Sequence, residues 1–219
     1  MADIKNKSCG LSREAFERAL IERHTKPVFE KLKNSSAAVA GAGGLGSNIA
    51  VSLARAGVGR LLIVDFDRVE ISNLNRQQYF VKHVGMYKTD ALAEILRDIN
   101  PYIKVETKTI RVTQDNAAAV FCGFDIVCEA FDRAENKAML INALLLSQPK
   151  TKIISGSGMA GYLSANTIKT RMITKRLYIC GDGVSDSAEH NGLMAPRVAV
   201  CANHQANMAL RLLLGETEC

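Results

Sequence analysis

Residues Gly41 to Phe80 read "GAGGLGSNIAVSLARAGVGRLLIVDFDRVEISNLNRQQYF". The stretch opens on Gly41-Ala42-Gly43-Gly44-Leu45-Gly46, which fits G-x-G-x-x-G. A short apolar strand, Ala37 to Ala40, precedes the turn, and a helix from Gly46 to Ala56 follows, stopped by Gly57 and Gly59. A second strand, Leu61 to Asp65, is apolar enough to be buried on both faces and ends in a carboxylate about 20 residues on from the turn. Glycine lets backbone approach a phosphate closely, and a helix N-terminus offers free N–H groups and a positive dipole end. A carboxylate at the end of the next strand can accept hydrogen bonds from ribose hydroxyls. Turn, context and Asp65 together predict a nucleotide site; a purely structural tight turn is the alternative and carries less weight.

Adenosine ribose is the same in NAD and in ATP, so Asp65 does not choose between them. The residues after it do. Asn73, Arg76 and Gln77 come directly after the acidic strand end, where they would lie over the same cleft as the glycine turn. Asn73 can bond ribose or phosphate, and Arg76 can grip terminal phosphate oxygens with two parallel N–H groups. Lys88, at the start of the next helix, adds a further positive charge. A dinucleotide's pyrophosphate does not need this many cations; a triphosphate attacked at its α-phosphate does. Singly, Arg76 or Lys88 would be read as a solvated surface charge, and the cluster is what argues for ATP. Asp132 follows the apolar strand "DIVCEAF" at its carboxyl end, the edge where open α/β sheets hold ligands. Among phosphates such a carboxylate would hold Mg2+. It could equally cap a helix starting at Arg133, and the two roles are compatible. A nicotinamide-dependent oxidoreductase is the alternative from another enzyme class, and a non-catalytic nucleotide-binding module is a third.

The remainder of the chain fits an α/β reading. With 219 residues and 47% hydrophobic composition, residues 1–219 suit a single domain with a core large enough to need no disulfides. An N-terminal helical segment spans about 11–33, capped by Ser12 and broken or kinked at Pro27. Helices at Lys88 to Ile99, Asp115 to Phe121 and Arg133 to Leu146 alternate with strands at Lys104 to Ile110, Asp125 to Glu129 and Lys152 to Ser155. That alternation predicts a Rossmann-like, doubly wound, mainly parallel sheet. After Gly161 the segment "SANTIKTRMI" alternates without an intervening helix, so antiparallel strands should extend the sheet. A polar loop from Gly181 to Gly192 and a buried final helix from Arg197 to Leu214 complete the reading.

The formal charge of +6 is spread along the chain, which argues against nucleic acid as partner. The locally basic run Arg171 to Arg176 would suit an acidic protein surface. No run reaches membrane-spanning length and the polar N-terminus lacks a signal-peptide core, so a cytoplasmic protein is expected, with no membrane contact. Six cysteines form no C-x-x-C pair, so no zinc site is expected. Cys122, Cys128 and Cys201 read as core residues; Cys180, beside Gly181 in a polar stretch, could be a reactive thiol, although no base lies near it.

The stretches "GAGGLGSN", "VDFDRVEISNLNRQQ", "GMYKTDAL" and "FDRAENKAML" resemble the ThiF/MoeB/HesA family, relatives of ubiquitin-activating enzymes. "IERH", "SGMAGY", "NTIKTR", "GDGVSD" and "GLMAPRVA" are similar to its short ThiF-type branch, assigned to thiamine biosynthesis. The resemblance runs from about Leu20 to Gly215. It implies an adenylyltransferase that uses ATP and Mg2+ to adenylate the C-terminal glycine carboxylate of a small ubiquitin-like sulfur carrier, ThiS for this branch. Carried over by motif, the nucleotide set is Gly41, Gly43, Gly44, Leu45, Gly46, Asp65, Asp67, Asn73, Arg76, Gln77, Lys88 and Asp132. Asp65 and Asn73 would hold ribose, Arg76 and Lys88 the phosphates, and Asp132 Mg2+. The resemblance further implies a homodimer in which an N-terminal arginine reaches the partner's site; Arg23 matches best and Arg18 competes. The carrier's tail would thread beneath a roof of residues Lys175 to Leu193, with Met159 to Tyr162 below. The chain departs from the family where D-N-x-x-x-R becomes Asp132-Arg133-Ala134-Glu135-Asn136-Lys137, and in lacking the two C-x-x-C pairs of many relatives. Some relatives carry a carrier-bonding cysteine in this loop; Cys180 lies near that region but is left outside the site. A molybdopterin-type carrier, or the threonylcarbamoyl group on tRNA, would need the same ATP chemistry.

Overall fold

Residues 36–40 are Ser-Ala-Ala-Val-Ala, and no charged side chain interrupts them. They form β1 (Ser36–Ala40), an interior strand of a seven-stranded sheet. The computed structural model describes residues 11–189 and 192–219. The other strands are β2 (Arg60–Val64), β3 (Lys104–Lys108), β4 (Ile126–Glu129), β5 (Lys152–Gly156), β6 (Lys169–Thr174) and β7 (Leu177–Gly181), in the order β3-β2-β1-β4-β5-β7-β6. Every neighbouring pair is parallel except β6 with β7. Val39 pairs with Ile63 and Ala38 with Val127, the parallel centre expected of a doubly wound fold.

Seven helices are described: α1 (Arg13–His24), α2 (Lys26–Lys33), α3 (Gly44–Arg55), α4 (Lys88–Ile99), α5 (Gln114–Val120), α6 (Ala134–Ser147) and α7 (Ala195–Leu214). Strand alternation sorts them into two layers. Val39, Ile63, Cys128 and Ile154 face α3, α4 and α7, while Ala38, Leu62, Val127 and Ile153 face α5 and α6. The chain therefore changes face between β1 and β4, and the carboxyl ends of those strands border the crevice.

Two local expectations need correction, the point where the N-terminal segment breaks and the extent of the roof. The N-terminal break falls at Thr25, the sole described non-glycine residue with positive φ (71°); Pro27 sits harmlessly in the first turn of α2. Ser12 does cap α1, accepting from the Ala15 amide at 3.2 Å. After Gly161 the expected antiparallel addition is present, as β6 runs antiparallel to β7. It crosses to the edge, and β7 returns parallel to β5 because it carries the apolar residues Leu177, Tyr178 and Cys180 that fill the interior. Residues 177–181 are thus sheet interior rather than part of a roof.

Candidate active site

The glycine turn owes its shape to lack of space. Gly41 has φ +94°, and a Cβ there would lie 2.8 Å from the Ala130 carbonyl oxygen. A Cβ on Gly46 would lie 1.7 Å from the Gly41 carbonyl oxygen, so nothing larger fits. The chain can then enter α3 immediately, with Gly43 at the N-cap and no side chain over the first free amides. Leu45 is buried against Gly156, so what it can offer a ligand is backbone.

Asp65 is buried and already bonded. One carboxylate oxygen accepts the Ala42 amide at 2.6 Å, the other the Asp67 amide at 2.8 Å. It ties the end of β2 to the glycine turn, and its remaining lone pairs stay available to a hydroxyl. Tyr79 braces the same junction: its hydroxyl donates to the Ala42 carbonyl at 2.7 Å, with the Lys88 carbonyl at 3.3 Å as a second acceptor. Burial, with the charge of Asp65 adding to it, pushes the Tyr79 phenol far above its usual range, so it stays a donor. Lys88 is buried, and its ammonium lies 3.0 Å from the Asp67 carboxylate, whose backbone carbonyl accepts the Lys88 amide at 2.9 Å. Asp67 therefore orients Lys88.

The segment after β2 folds over the turn as expected. The stem of Arg76 packs against Gly44, while its guanidinium donates to the Ser72 carbonyl at 3.1 Å and the Asn75 side chain at 2.8 Å. Gln77 approaches Gly43, and its side-chain oxygen is buried without a partner among the described residues. Asn73 is buried and accepts from the Glu70 amide at 3.1 Å, which shapes the turn carrying Arg76. Leu74 to Gln78, Asn48 and the start of α7 line a cavity of about 310 Å³ beside this cluster.

Opposite the turn, Phe131 touches Gly41, and Asp132 follows it, exposed and without a bonding partner among the described residues. The helix cap expected of Asp132 is absent: Arg133 is the N-cap of α6, and no side chain bonds the cap. No group of three metal-ligating side chains occurs among the described residues. An exposed carboxylate near a glycine turn, unpartnered among the described residues, is of a kind that could hold Mg2+, which shares its ligands with phosphate oxygens and water.

Behind Asp132 stands a group the sequence did not reveal. Glu129 is completely buried, and its carboxylate accepts the Phe131 amide at 2.6 Å, the Ser155 hydroxyl at 2.5 Å and the Lys137 ammonium at 3.1 Å. Lys137 therefore neutralises a buried charge and holds the turn that presents Asp132.

Other predicted residues lie elsewhere. α1 packs at the opposite edge of the sheet, where Phe16 meets Tyr102 and Leu20 meets Gly57, so Arg23 and Arg18 belong to an element remote from their own chain's glycine turn. Cys180 is buried in β7 and pushed up to about 11, mainly by burial, which makes it an inert thiol rather than a reactive one. Cys122 is exposed, contrary to expectation, whereas Cys128 and Cys201 are buried; Cys9 lies outside the described residues. Arg176, at the end of the basic run, donates to the Leu145 and Gln148 carbonyls at 2.6 and 2.8 Å and caps α6. What remains of the expected roof is residues 182–193, of which 190 and 191 lie outside the described residues. Ala160 donates to the Ser185 hydroxyl at 3.0 Å, so the Met159 to Tyr162 segment does lie against this loop. Asp182 and Arg197 form a buried ion pair of 2.6 Å at its base.

Comparison with known proteins adds the following. The ThiF family profile matches residues 16–219. A sulfur carrier protein adenylyltransferase of Thermus thermophilus is 33% identical over 196 residues, covering 85% of this chain and 72% of that protein. An adenylyltransferase and sulfurtransferase MOCS3 of Aedes aegypti is 32% identical over 200 residues, and the chain spans only 44% of its length. Among solved structures, the E. coli tRNA N6-threonylcarbamoyladenosine dehydratase TcdA in complex with ATP superposes with a TM-score of 0.81 at 23% identity, covering 93% of this chain and 96% of that one. That likeness establishes the Rossmann-like fold. No helix among the described residues is long and apolar enough to cross a membrane.

Proposed function

The chain belongs to the ThiF family, and on that premise we propose that it is an adenylyltransferase of the ubiquitin-like-activating type, which binds ATP in the crevice between the glycine turn and Asp132. The observation that carries this reading is the clustering of Arg76, Gln77, Asp65 and Lys88 around the turn, with Asp132, exposed and unpartnered among the described residues, next to the Phe131 that touches Gly41. The Thermus relative is named for adenylation of a sulfur carrier, and the TcdA structure holds ATP, which supports ATP here rather than NAD.

In this reading the amides at the start of α3 and the side chains of Arg76 and Lys88 hold the phosphates, while Asp65 and Asn73 hold ribose. Mg2+, held by Asp132, would supply further neutralisation of phosphate charge. The substrate is the C-terminal glycine carboxylate of a small ubiquitin-like sulfur carrier, ThiS, in thiazole formation for thiamine. A carboxylate is already ionised near neutral pH, so no general base is required; the obstacle is repulsion from a polyanion. Its oxygen attacks the α-phosphorus, the bond to the bridging oxygen breaks, and pyrophosphate leaves with the electron pair. Lys88 must leave Asp67 to serve the phosphates fully, so nucleotide binding trades one ion pair for another. Loss of a phosphate contact would slow the reaction on the order of 10²-fold or more.

The active species would be a cytoplasmic homodimer in which Arg23, or its competitor Arg18, serves the partner's site; the remoteness of α1 from its own crevice fits that arrangement. The loop at 182–189, with Lys169 and Arg171 beside it, would receive the carrier's acidic face and side-chain-free tail. ATP–pyrophosphate exchange with purified carriers tests the proposal. Exchange with ThiS that disappears when its last glycine is deleted is expected. Exchange only with a molybdopterin-type carrier, or adenylation only of threonylcarbamoyl tRNA, would keep the chemistry and remove the thiamine assignment.

A further inference from the structure

Asn48 lies inside α3, where a short amide side chain weakens a helix by competing for its backbone. Here the side chain is buried and bonded at both ends. Its nitrogen donates to the Gly44 carbonyl at 2.7 Å and to the Arg76 carbonyl at 3.3 Å, while its oxygen accepts from the Gln78 side chain at 2.6 Å. Ser47, one residue earlier, makes a matching pair of bonds. Its hydroxyl donates to the Gly43 carbonyl at 2.7 Å and accepts the Gln78 amide at 3.2 Å. The start of α3 is thus stitched through two adjacent side chains to the segment that carries Arg76.

The two ends of Arg76 are held differently. Asn48 pins its backbone carbonyl, and its stem packs against Gly44. Its guanidinium rests on the Ser72 carbonyl and the Asn75 side chain, both of them neutral acceptors. Asn75 is itself anchored, donating to the Leu193 carbonyl at 3.0 Å. A charged phosphate oxygen is a stronger acceptor than either neutral group, so the guanidinium can be drawn off while the backbone stays fixed. The reach of the guanidinium is then set by where Asn48 holds the carbonyl.

We propose that Asn48 is the positioning residue for Arg76, fixing the backbone from which the guanidinium reaches the terminal phosphates of the nucleotide. This rests on the nucleotide reading above. The amide suits the task because it donates to two carbonyls and accepts from a third group at once. A serine has a single donor and an ionised aspartate has none. Without the anchor the Arg76 segment can shift, and the expected loss in ATP affinity is on the order of 10-fold, the lower scale of one hydrogen bond to a charged group.

Two ligands and a double-mutant cycle test this by calorimetry: ATP, and AMP, which lacks the terminal phosphates. Asn48→Ala should weaken ATP roughly 10-fold by that scale and leave AMP unchanged. In an Arg76→Ala background the same substitution should cost nothing further, because the group it acts through is gone. A merely structural role would persist in that background and would affect both ligands. Gln78→Ala changes an exposed side chain that only orients the Asn48 amide, so it should fold as the parent does and give a smaller loss confined to ATP. Unchanged ATP affinity in both single variants, an equal loss for ATP and AMP, or a loss in the Arg76→Ala background as large as in the parent would overturn the assignment. Wild-type protein that binds neither ATP nor AMP would instead overturn the nucleotide reading itself, so the two failures are distinguishable.

Discussion

Replacing Arg197 by Met should destabilise the protein out of proportion to its conservative shape. Arg197 and Asp182 are almost fully buried, at 3% and 5% side-chain exposure, and 2.6 Å apart. The same guanidinium donates to the Leu163 and Ser164 carbonyls at 2.7 and 2.6 Å and to the Thr167 hydroxyl at 3.0 Å. Met fills the volume but leaves Asp182 charged and two carbonyls unsatisfied. Breaking a buried pair from one side costs about 3–5 kcal/mol. For a chain of this size, that corresponds to a fall in Tm of roughly 6–20 °C. Urea denaturation reads the change as a lower midpoint at constant slope. The double variant Asp182→Asn, Arg197→Met should be more stable than Arg197→Met alone, since the amide oxygen can still accept from the Val184 and Ser185 amides, each at 2.8 Å, with no charge left buried. The acid side offers a second readout. Burial pushes the Asp182 carboxyl upward, but the Ser185 and Val184 amides and Arg197 outweigh it and hold the carboxyl well below its usual range. A carboxyl lowered on folding stabilises the protein above its unfolded value, about 3.9, and that share is lost as pH falls through the folded value. The acid-side slope should therefore shrink in the double variant. A single variant that loses under about 1 kcal/mol, against the 3–5 expected of a broken buried pair, or a double variant less stable than the single, would refute the reasoning.

Gly46→Ala should cost about 1–3 kcal/mol or more, since its Cβ would lie 1.7 Å from the Gly41 carbonyl oxygen, and calorimetry should find ATP binding lost with it. Lys137→Met should destabilise by about 3–5 kcal/mol in urea, because Glu129 is completely buried and loses its counter-charge, while Lys137→Arg should keep most of the stability. Asp132→Ala should leave the urea midpoint within about 0.5 kcal/mol of the parent, as the side chain is exposed and unpartnered among the described residues, yet reduce pyrophosphate exchange by 10²-fold or more. Light scattering should give the mass of two chains; a strict monomer would leave Arg23 with no site to serve.

The interior of the sheet was legible because β1, β2 and β4 are buried on both faces and read as short, mainly apolar runs. Lys88 to Ile99 was placed to the residue, since Pro101 ends it and its apolar face is regular. The glycine turn, Asp65, Arg76, Gln77 and Lys88 lie near one another because all fall within residues 41–88 and need no distant segment to position them. What lay beyond the sequence were pairs formed across the fold. Glu129 reads as an ordinary strand end until Ser155 and Lys137 close on it, and Arg197 reads as a helix charge until Asp182 meets it 15 residues away. Cys180 misled for a similar reason: its sequence neighbours Gly181 and Asp182 are polar, but β7 packs between β5 and β6, so the interior surrounds it. Tyr79 gave no local signal for bracing the turn at Ala42, 37 residues earlier.

Intact-mass spectrometry of a carrier incubated with ATP, Mg2+ and the purified protein tests the central claim most directly. The account predicts a carrier species heavier by one AMP, formed with the parent protein, absent with Asp132→Ala, and absent when the carrier's terminal glycine is deleted. A carrier that stays unmodified while the protein binds ATP, or an adenylate formed equally well by Asp132→Ala, would contradict it.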